Sequence, residues 1–222
     1  NDSGDYWSAS WQPVGKNLEL YKSECRHGIG YTKMTAEYDG ISSEALYYVP
    51  FGQSHEVWSL TVSNHSRKTR NLTLTGYAEF TNHSNYEQDQ VNLQYSLFIT
   101  RTLFSQNRIM QEIHGNLDAL PSDQQVDRKN VTERFFGLAG AETDSYCGDK
   151  SSFLGKYRGY GNPLGVEAGN LGNITSYNEN SCGALSCRIT LLPGETKTVA
   201  FLLGMKPSEQ AHSIICSYEN TN

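Results

Sequence analysis

Polar and apolar positions alternate with a period of two along much of the chain, and turn dipeptides cut that alternation into short segments. Residues 56–63 show it most clearly, with Val57, Ser59, Thr61 and Ser63 interleaved with Trp58, Leu60 and Val62. Successive side chains of a strand point to opposite faces, so this segment predicts a strand that buries Trp58, Leu60 and Val62. Residues 71–80 repeat the pattern, with Leu72, Leu74, Gly76, Ala78 and Phe80 on one side. Upstream, the strands predicted over 29–38 and 41–49 flank Asp39-Gly40. Both residues of that dipeptide tolerate positive φ, as a type I′ hairpin turn requires. Pro50-Phe51-Gly52 ends the second strand, because proline removes a ladder donor and glycine relieves the turn.

Further along, residues 91–103 predict a long strand with Leu93, Tyr95, Leu97 and Ile99 on one face. Residues 135–141 predict a short strand. Residues 184–192 and 197–203 flank Pro193-Gly194-Glu195-Thr196 as a compact hairpin, and the basic run Arg67-Lys68-Thr69-Arg70 fits a second hairpin connection. The polar stretch 115–129 is expected as a surface excursion and the glycine-rich stretch 144–173 as a long, shaped loop. No apolar stripe with a 3.6-residue period runs beyond about ten residues. Many strands with frequent turn signals predict an all-β fold, an antiparallel β-sandwich.

Composition narrows the field without naming an activity. At 222 residues the chain suits one large domain or two small ones. With 11% aromatic residues, including 14 Tyr, it has the apolar bulk that disordered chains lack. The net charge of −6 and the absence of a basic cluster outside one turn argue against a nucleic-acid partner. No run of 18 apolar residues predicts a membrane span, and no charged n-region precedes an apolar h-region. Cys25, Cys147, Cys182, Cys187 and Cys216 are scattered and odd in number, without the C-x-x-C pairs of a structural zinc site. They read as reduced thiols, which favours a cytoplasmic setting. Cys25-Arg26-His27 offers two ligand types at strand spacing but no second pair, so no metal site is expected. Asn-x-Ser/Thr triplets begin at Asn1, Asn64, Asn71, Asn82, Asn130 and Asn173 and read as loop composition.

Motifs for nucleophilic or phosphate chemistry are missing: there is no Gly-x-Ser-x-Gly elbow and no Gly-x-x-x-x-Gly-Lys-Ser/Thr loop. Glu24, Glu37, Glu79, Asp89 and Asp149 are acids of the kind that flank a glycosidic bond, but spacing pairs none of them. Trp7, Trp11, Phe153, Tyr157 and Tyr160 fit either a rim that stacks on sugar faces or anchors of the β core.

Several motifs together carry a resemblance. Asn1-Asp-Ser-Gly-Asp-Tyr-Trp7-Ser-Ala-Ser-Trp11-Gln-Pro-Val14 is followed by Cys25-Arg26-His27-Gly28-Ile-Gly30-Tyr31-Thr32. Tyr48-Val49-Pro50-Phe51-Gly52, Tyr77-Ala78-Glu79-Phe80, Phe153-Leu154-Gly155-Lys156-Tyr157-Arg158 with Asn162-Pro163, Leu192-Pro193-Gly194-Glu195 and Phe201-Leu202-Leu203-Gly204 come next, in order. This set resembles the N-terminal domain of glycoside hydrolase family 94, the cellobiose phosphorylase group, over nearly the whole chain.

The resemblance implies a large sandwich similar to galactose mutarotase, a super-sandwich incomplete at its N-terminal edge, with residues 1–222 as one domain. In that family the sandwich adjoins an (α/α)₆ barrel. The enzymes cleave a β-linked disaccharide with inorganic phosphate, inverting the anomeric centre to give an α-sugar 1-phosphate. One aspartate of the barrel acts as general acid, and phosphate, already anionic, replaces an activated water. The resemblance therefore places no catalytic residue in this chain, implies no cofactor beyond phosphate as co-substrate, and leads us to expect the isolated chain to be inactive. It also implies a homodimer in which each sandwich caps the partner's active site. The reaching segment of cellobiose-type members, Asn-Tyr-Gln-Arg-Asn, aligns here with Asn92-Leu93-Gln94-Tyr95-Ser96. Gln94 and Tyr95 are the substrate-binding candidates, with Tyr95 replacing a permanent cation by a neutral ring with one hydroxyl. Two alternatives stay open: a free-standing carbohydrate-binding sandwich with a rim of Trp7, Trp11, Tyr157 and Tyr160, and an aldose epimerase-like enzyme enlisting His27 or His114.

Overall fold

A computed structural model of the chain describes residues 1–81, 97–114 and 131–219. Within these residues β1 (Lys22–Gly28), β2 (Tyr31–Tyr38), β3 (Ile41–Tyr48), β4 (His55–Asn64), β5 (Arg70–Glu79) and β6 (Thr100–Ser105) come first. β7 (Arg108–His114), β8 (Val131–Ala139), β9 (Ser145–Asp149), β10 (Ser181–Leu191) and β11 (Thr196–Gly204) follow. The larger sheet has the order β1-β2-β3-β4-β11-β8-β7-β6 and the smaller the order β5-β10-β9. All their pairings are antiparallel. Three short helices, α1 (Lys150–Leu154), α2 (Leu164–Glu167) and α3 (Ser208–Ser217), complete the described elements. The fold is the all-β sandwich that the alternation predicts. No helix among the described residues is long and apolar enough to cross a membrane.

The period-two faces explain the packing. Leu60, Val62 and Trp58 point inward with Val199, Phe201, Phe136 and Leu138, and meet Leu72, Ala78, Leu185 and Cys187 of the smaller sheet. Phe136 and Phe201 stack with centroids 5.7 Å apart and planes 7° from parallel. Gly76 permits this approach, since a Cβ there would sit 2.4 Å from Phe201 Cδ1. The opposite face of the larger sheet is not left to solvent at its centre. Ala211 and Ile215 of α3 cover Val57, Phe135 and Leu202. Each fully buried aliphatic side chain of this kind stabilises the fold by about 1.5–3 kcal/mol.

The Asp39-Gly40 turn has φ values of 50° and 72°, as the type I′ reading requires. The other two expected hairpins are corrected. β4 and β5 lie in different sheets, as do β10 and β11, so residues 65–69 and 192–195 are arches that carry the chain from one layer to the other. β3 and β11 already occupy both edges of β4, which leaves β5 no place beside it. The two arches are tied by Asn64, which is fully buried. Its Nδ2 donates to the carbonyls of Lys68 at 2.8 Å and Leu191 at 3.0 Å, and Gly194 N donates to the Asn64 carbonyl at 2.8 Å. A glycan on this Asn-x-Ser site is incompatible with that packing.

Three further expectations change. Leu97 and Phe98 form a helical turn and the strand begins only at Thr100; residues 91–96 lie outside the described residues. The supposed loop 144–173 contains β9, α1 and α2. An additional strand, β1, precedes the first predicted one and pairs with β2 from Lys22↔Glu37 to Gly28↔Tyr31.

Candidate functional site

One end of the smaller sheet gathers polar groups from distant parts of the chain. Glu79 closes β5, and Tyr77, two residues earlier, projects on the same face. The Glu79 carboxylate accepts hydrogen bonds from Tyr77 OH at 3.0 Å, from Lys150 Nζ at 3.0 Å and from Tyr160 OH. Lys150 opens α1, a helix whose first turn is capped by Asp149 accepting from Ser152 N at 2.6 Å. The Tyr77 ring stacks on Phe153 of α1, with centroids 4.5 Å apart, and Lys150 Nζ lies 5.4 Å from the centroid of Tyr160. The motif Tyr77-Ala78-Glu79-Phe80 and the segment from Phe153 to Arg158 thus meet in space. Burial by itself would raise the Glu79 carboxyl, but the hydrogen bonds from Tyr160, Lys150 and Tyr77 outweigh it and hold the group below the ordinary carboxylate range. Burial drives the Tyr77 phenol in the opposite direction, well above its ordinary value. Glu79 is therefore an ionised anchor for three donors.

This network stands at the root of the segment carrying Gln94 and Tyr95. Those two residues lie outside the described residues, but the chain on both sides of them is fixed. Phe80 is buried, and the Thr81 carbonyl accepts from Gln111 Nε2 at 3.1 Å. On the far side Ile99 and Thr100 are buried, and Thr100 Oγ1 donates to the Leu97 carbonyl at 3.3 Å.

Beside the network a cleft of about 360 Å³ opens between the two sheets. Trp7, Tyr47, Trp58, Tyr77, Phe153 and Tyr160 line it, with Ser43 in its floor. Ser43 Oγ and Trp58 Nε1 are buried and have no hydrogen-bond partner among the described residues. β5, the edge strand of the smaller sheet among the described residues, contributes Thr73, Thr75 and Tyr77 to the same cleft.

The structure brings together only part of the aromatic rim. Trp7 and Tyr160 line the cleft, but Trp11 turns away, its Nε1 donating to the Lys16 carbonyl at 2.8 Å, and Tyr157 is fully exposed. Of the candidate acids, Glu24 pairs with Arg26, Glu37 with Lys22, and Asp149 caps α1; Asp89 lies outside the described residues. His27 sits on the exposed β1, and the His114 side chain lies outside the described residues. The sequence reading missed Arg70, whose buried guanidinium pairs with Asp2 at 3.1 Å and Asp39 at 2.7 Å. Its parity with Leu72 and Leu74 was the available signal. It also missed the buried His55, whose Nε2 lies 3.0 Å from Tyr218 OH. No sequence pattern marks it.

The family model described as the glycosyl hydrolase 94 supersandwich domain matches residues 1–221. The chain belongs to the glycosyl hydrolase 94 family. Its relatives within reach of sequence comparison include the N,N′-diacetylchitobiose phosphorylases of Vibrio proteolyticus and Vibrio furnissii. They are 36% and 34% identical, each over 92% of this chain and 24% of their own length. A solabiose phosphorylase of Paenibacillus borealis is 26% identical over 91% of the chain and 24% of its own. This glycosyl hydrolase 94 domain thus spans about a quarter of the relatives it matches.

Proposed function

We propose that the chain is the non-catalytic β-sandwich domain of a cytoplasmic, homodimeric disaccharide phosphorylase, which cleaves a β-linked disaccharide with inorganic phosphate to an α-sugar 1-phosphate. The family match over residues 1–221 carries this reading. The general acid belongs to a helical barrel outside these residues, and the sandwich caps the partner's pocket through the segment holding Gln94 and Tyr95. The rigid root of that segment supports the assignment: Glu79 gathers Tyr77, Lys150 and Tyr160, and Gln111 holds Thr81. A fixed root limits where a short segment can reach, which is what positioning a side chain against another subunit demands.

For the disaccharide, the two Vibrio relatives favour an N-acetylated β-linked substrate over a cellobiose-like one. Tyr95 speaks against strict cellobiose specificity, because a neutral hydroxyl-bearing ring replaces the arginine of cellobiose-type members. Incubating the full-length enzyme with phosphate and either N,N′-diacetylchitobiose or cellobiose tests this, with N-acetylglucosamine 1-phosphate as the expected product. Preferential release of glucose 1-phosphate from cellobiose refutes it.

Capping in trans has its own test. Tyr95→Ala subunits and subunits lacking the barrel aspartate are each expected to be impaired. Mixed, they regain activity, because one site of the heterodimer then has an intact acid and an intact partner Tyr95. Unaltered turnover in Tyr95→Ala removes Tyr95 from the site, and impairment without recovery on mixing places its action within one subunit.

A further inference from the structure

β1 is an edge strand whose seven residues are all exposed, and among the described residues only β2 flanks it. Cys25 and His27 are two positions apart and therefore share a face. Cys25 Sγ lies 3.5 Å from His27 Nε2, and His27 Nδ1 lies 2.9 Å from Oγ1 of Thr32, the residue opposite His27 on β2. With its proton on Nδ1, the imidazole donates to Thr32 and turns the Nε2 lone pair toward the thiol. Nucleophile, base and a third group that orients the base form the general signature of an activated side chain. The register places Ser23, Met34 and Ala36 on this same face, so no charged side chain of β1 or β2 shares it. Glu24 and Arg26 point to the other face and pair with each other at 2.7 Å, as Lys33 does with Glu44 at 3.1 Å. The remaining thiols differ: Cys147, Cys182 and Cys187 are buried and Cys216 is half-buried. Among the described residues no third His, Cys, Asp or Glu joins the pair to complete a metal site.

We propose that Cys25 is a modification site that exchanges with small disulfides, with His27 as its general base and Thr32 as the residue that positions His27. In the exchange His27 Nε2 takes the S–H proton and the Cys25 sulfur attacks one sulfur of the incoming disulfide. That S–S bond breaks as the mixed disulfide on Cys25 forms. The departing thiolate takes the proton from His27, so one disulfide is consumed and one is made, with no other oxidant. The proposal is independent of the phosphorylase reading, because no step of it involves phosphate, a disaccharide or the segment holding Gln94 and Tyr95.

The test is thiol labelling of the native full-length protein by oxidised glutathione, with 5,5′-dithiobis(2-nitrobenzoate) for the kinetics and peptide mapping for the site. Cys25 is expected to react first. An unassisted thiol is only a few per cent ionised at pH 7, so His27→Asn should slow Cys25 about tenfold there. At pH 10, where an ordinary thiol ionises without a base, the difference should shrink to less than about twofold. Thr32→Val should give part of the loss, and Thr32→Ser should restore the rate. The unaltered protein supplies a second readout that needs no variant: Cys25 should outpace N-acetylcysteine amide at pH 7 and lose that advantage at pH 10. Labelling of another cysteine first overturns the proposal, as does a Cys25 rate at pH 7 no higher than that of the free thiol. An equal slowing of His27→Asn at both pH values overturns it too, since that is the mark of a purely structural role.

Discussion

At the scale of single residues, burial decides what a titratable group can do. His55 is buried, with Nε2 against Tyr218 OH and Nδ1 without a partner among the described residues. Burial first, and the charge of Lys206 second, push its pKa below the ordinary histidine value. The unfolded chain therefore takes up a proton near pH 6.5 that the folded chain resists until lower pH. In that window the unfolded state binds more protons, so the stabilisation is full above about pH 7 and is lost as the pH falls. The urea midpoint is expected to decline between pH 7 and pH 5, and His55→Gln should flatten that limb. The carboxylates held low by their partners, Asp2, Asp5 and Glu79, add their own loss only below about pH 4.5. An unaltered chain whose midpoint stays level from pH 7 to pH 5 contradicts the assignment. Legibility at this scale was uneven. Trp58, Leu60 and Val62 were readable as inward-facing because strand parity depends only on neighbouring residues. The pairings of Arg70 and His55 were not, because their partners Asp2, Asp39 and Tyr218 are remote in sequence.

At the scale of elements, the spacing between layers is set by small residues as much as by large ones. Gly76 of β5 lies over Phe201 of β11, and an added methyl would come within 2.4 Å of the ring. Phe201 is itself stacked on Phe136 and cannot retreat without disturbing the core. Gly76→Ala is expected to cost about 1–3 kcal/mol through overpacking, measured by urea denaturation. A loss below about 0.5 kcal/mol would show that the sheets can separate at this point. The Asp39-Gly40 hairpin was legible because its turn chemistry is local. The arches at residues 65–69 and 192–195 were not, because a polar turn between two alternating segments looks the same whether the second strand pairs with the first or crosses to another sheet. The choice depends on β11 already occupying the edge of β4, a contact between residues far apart in the chain.

At the scale of the whole molecule, the sandwich supplies a frame and the proposed chemistry belongs elsewhere. Assayed alone with phosphate and N,N′-diacetylchitobiose, the 222-residue chain is expected to release no sugar 1-phosphate; release at the rate of a full-length phosphorylase would move the catalytic acid into this domain. By itself the sequence determined most of the strands, the inward faces of β4 and β5, the all-β class and, through its ordered motifs, the family. Those are properties of neighbours along the chain, where a period of two and a turn dipeptide act locally. Only the tertiary structure decided that β4 and β5 part company, that Asn64 locks two arches together, and that Glu79 meets Lys150 and Tyr160 beside Phe153. Each of those depends on which surfaces remain unoccupied once the rest of the chain has packed, and no local pattern encodes that.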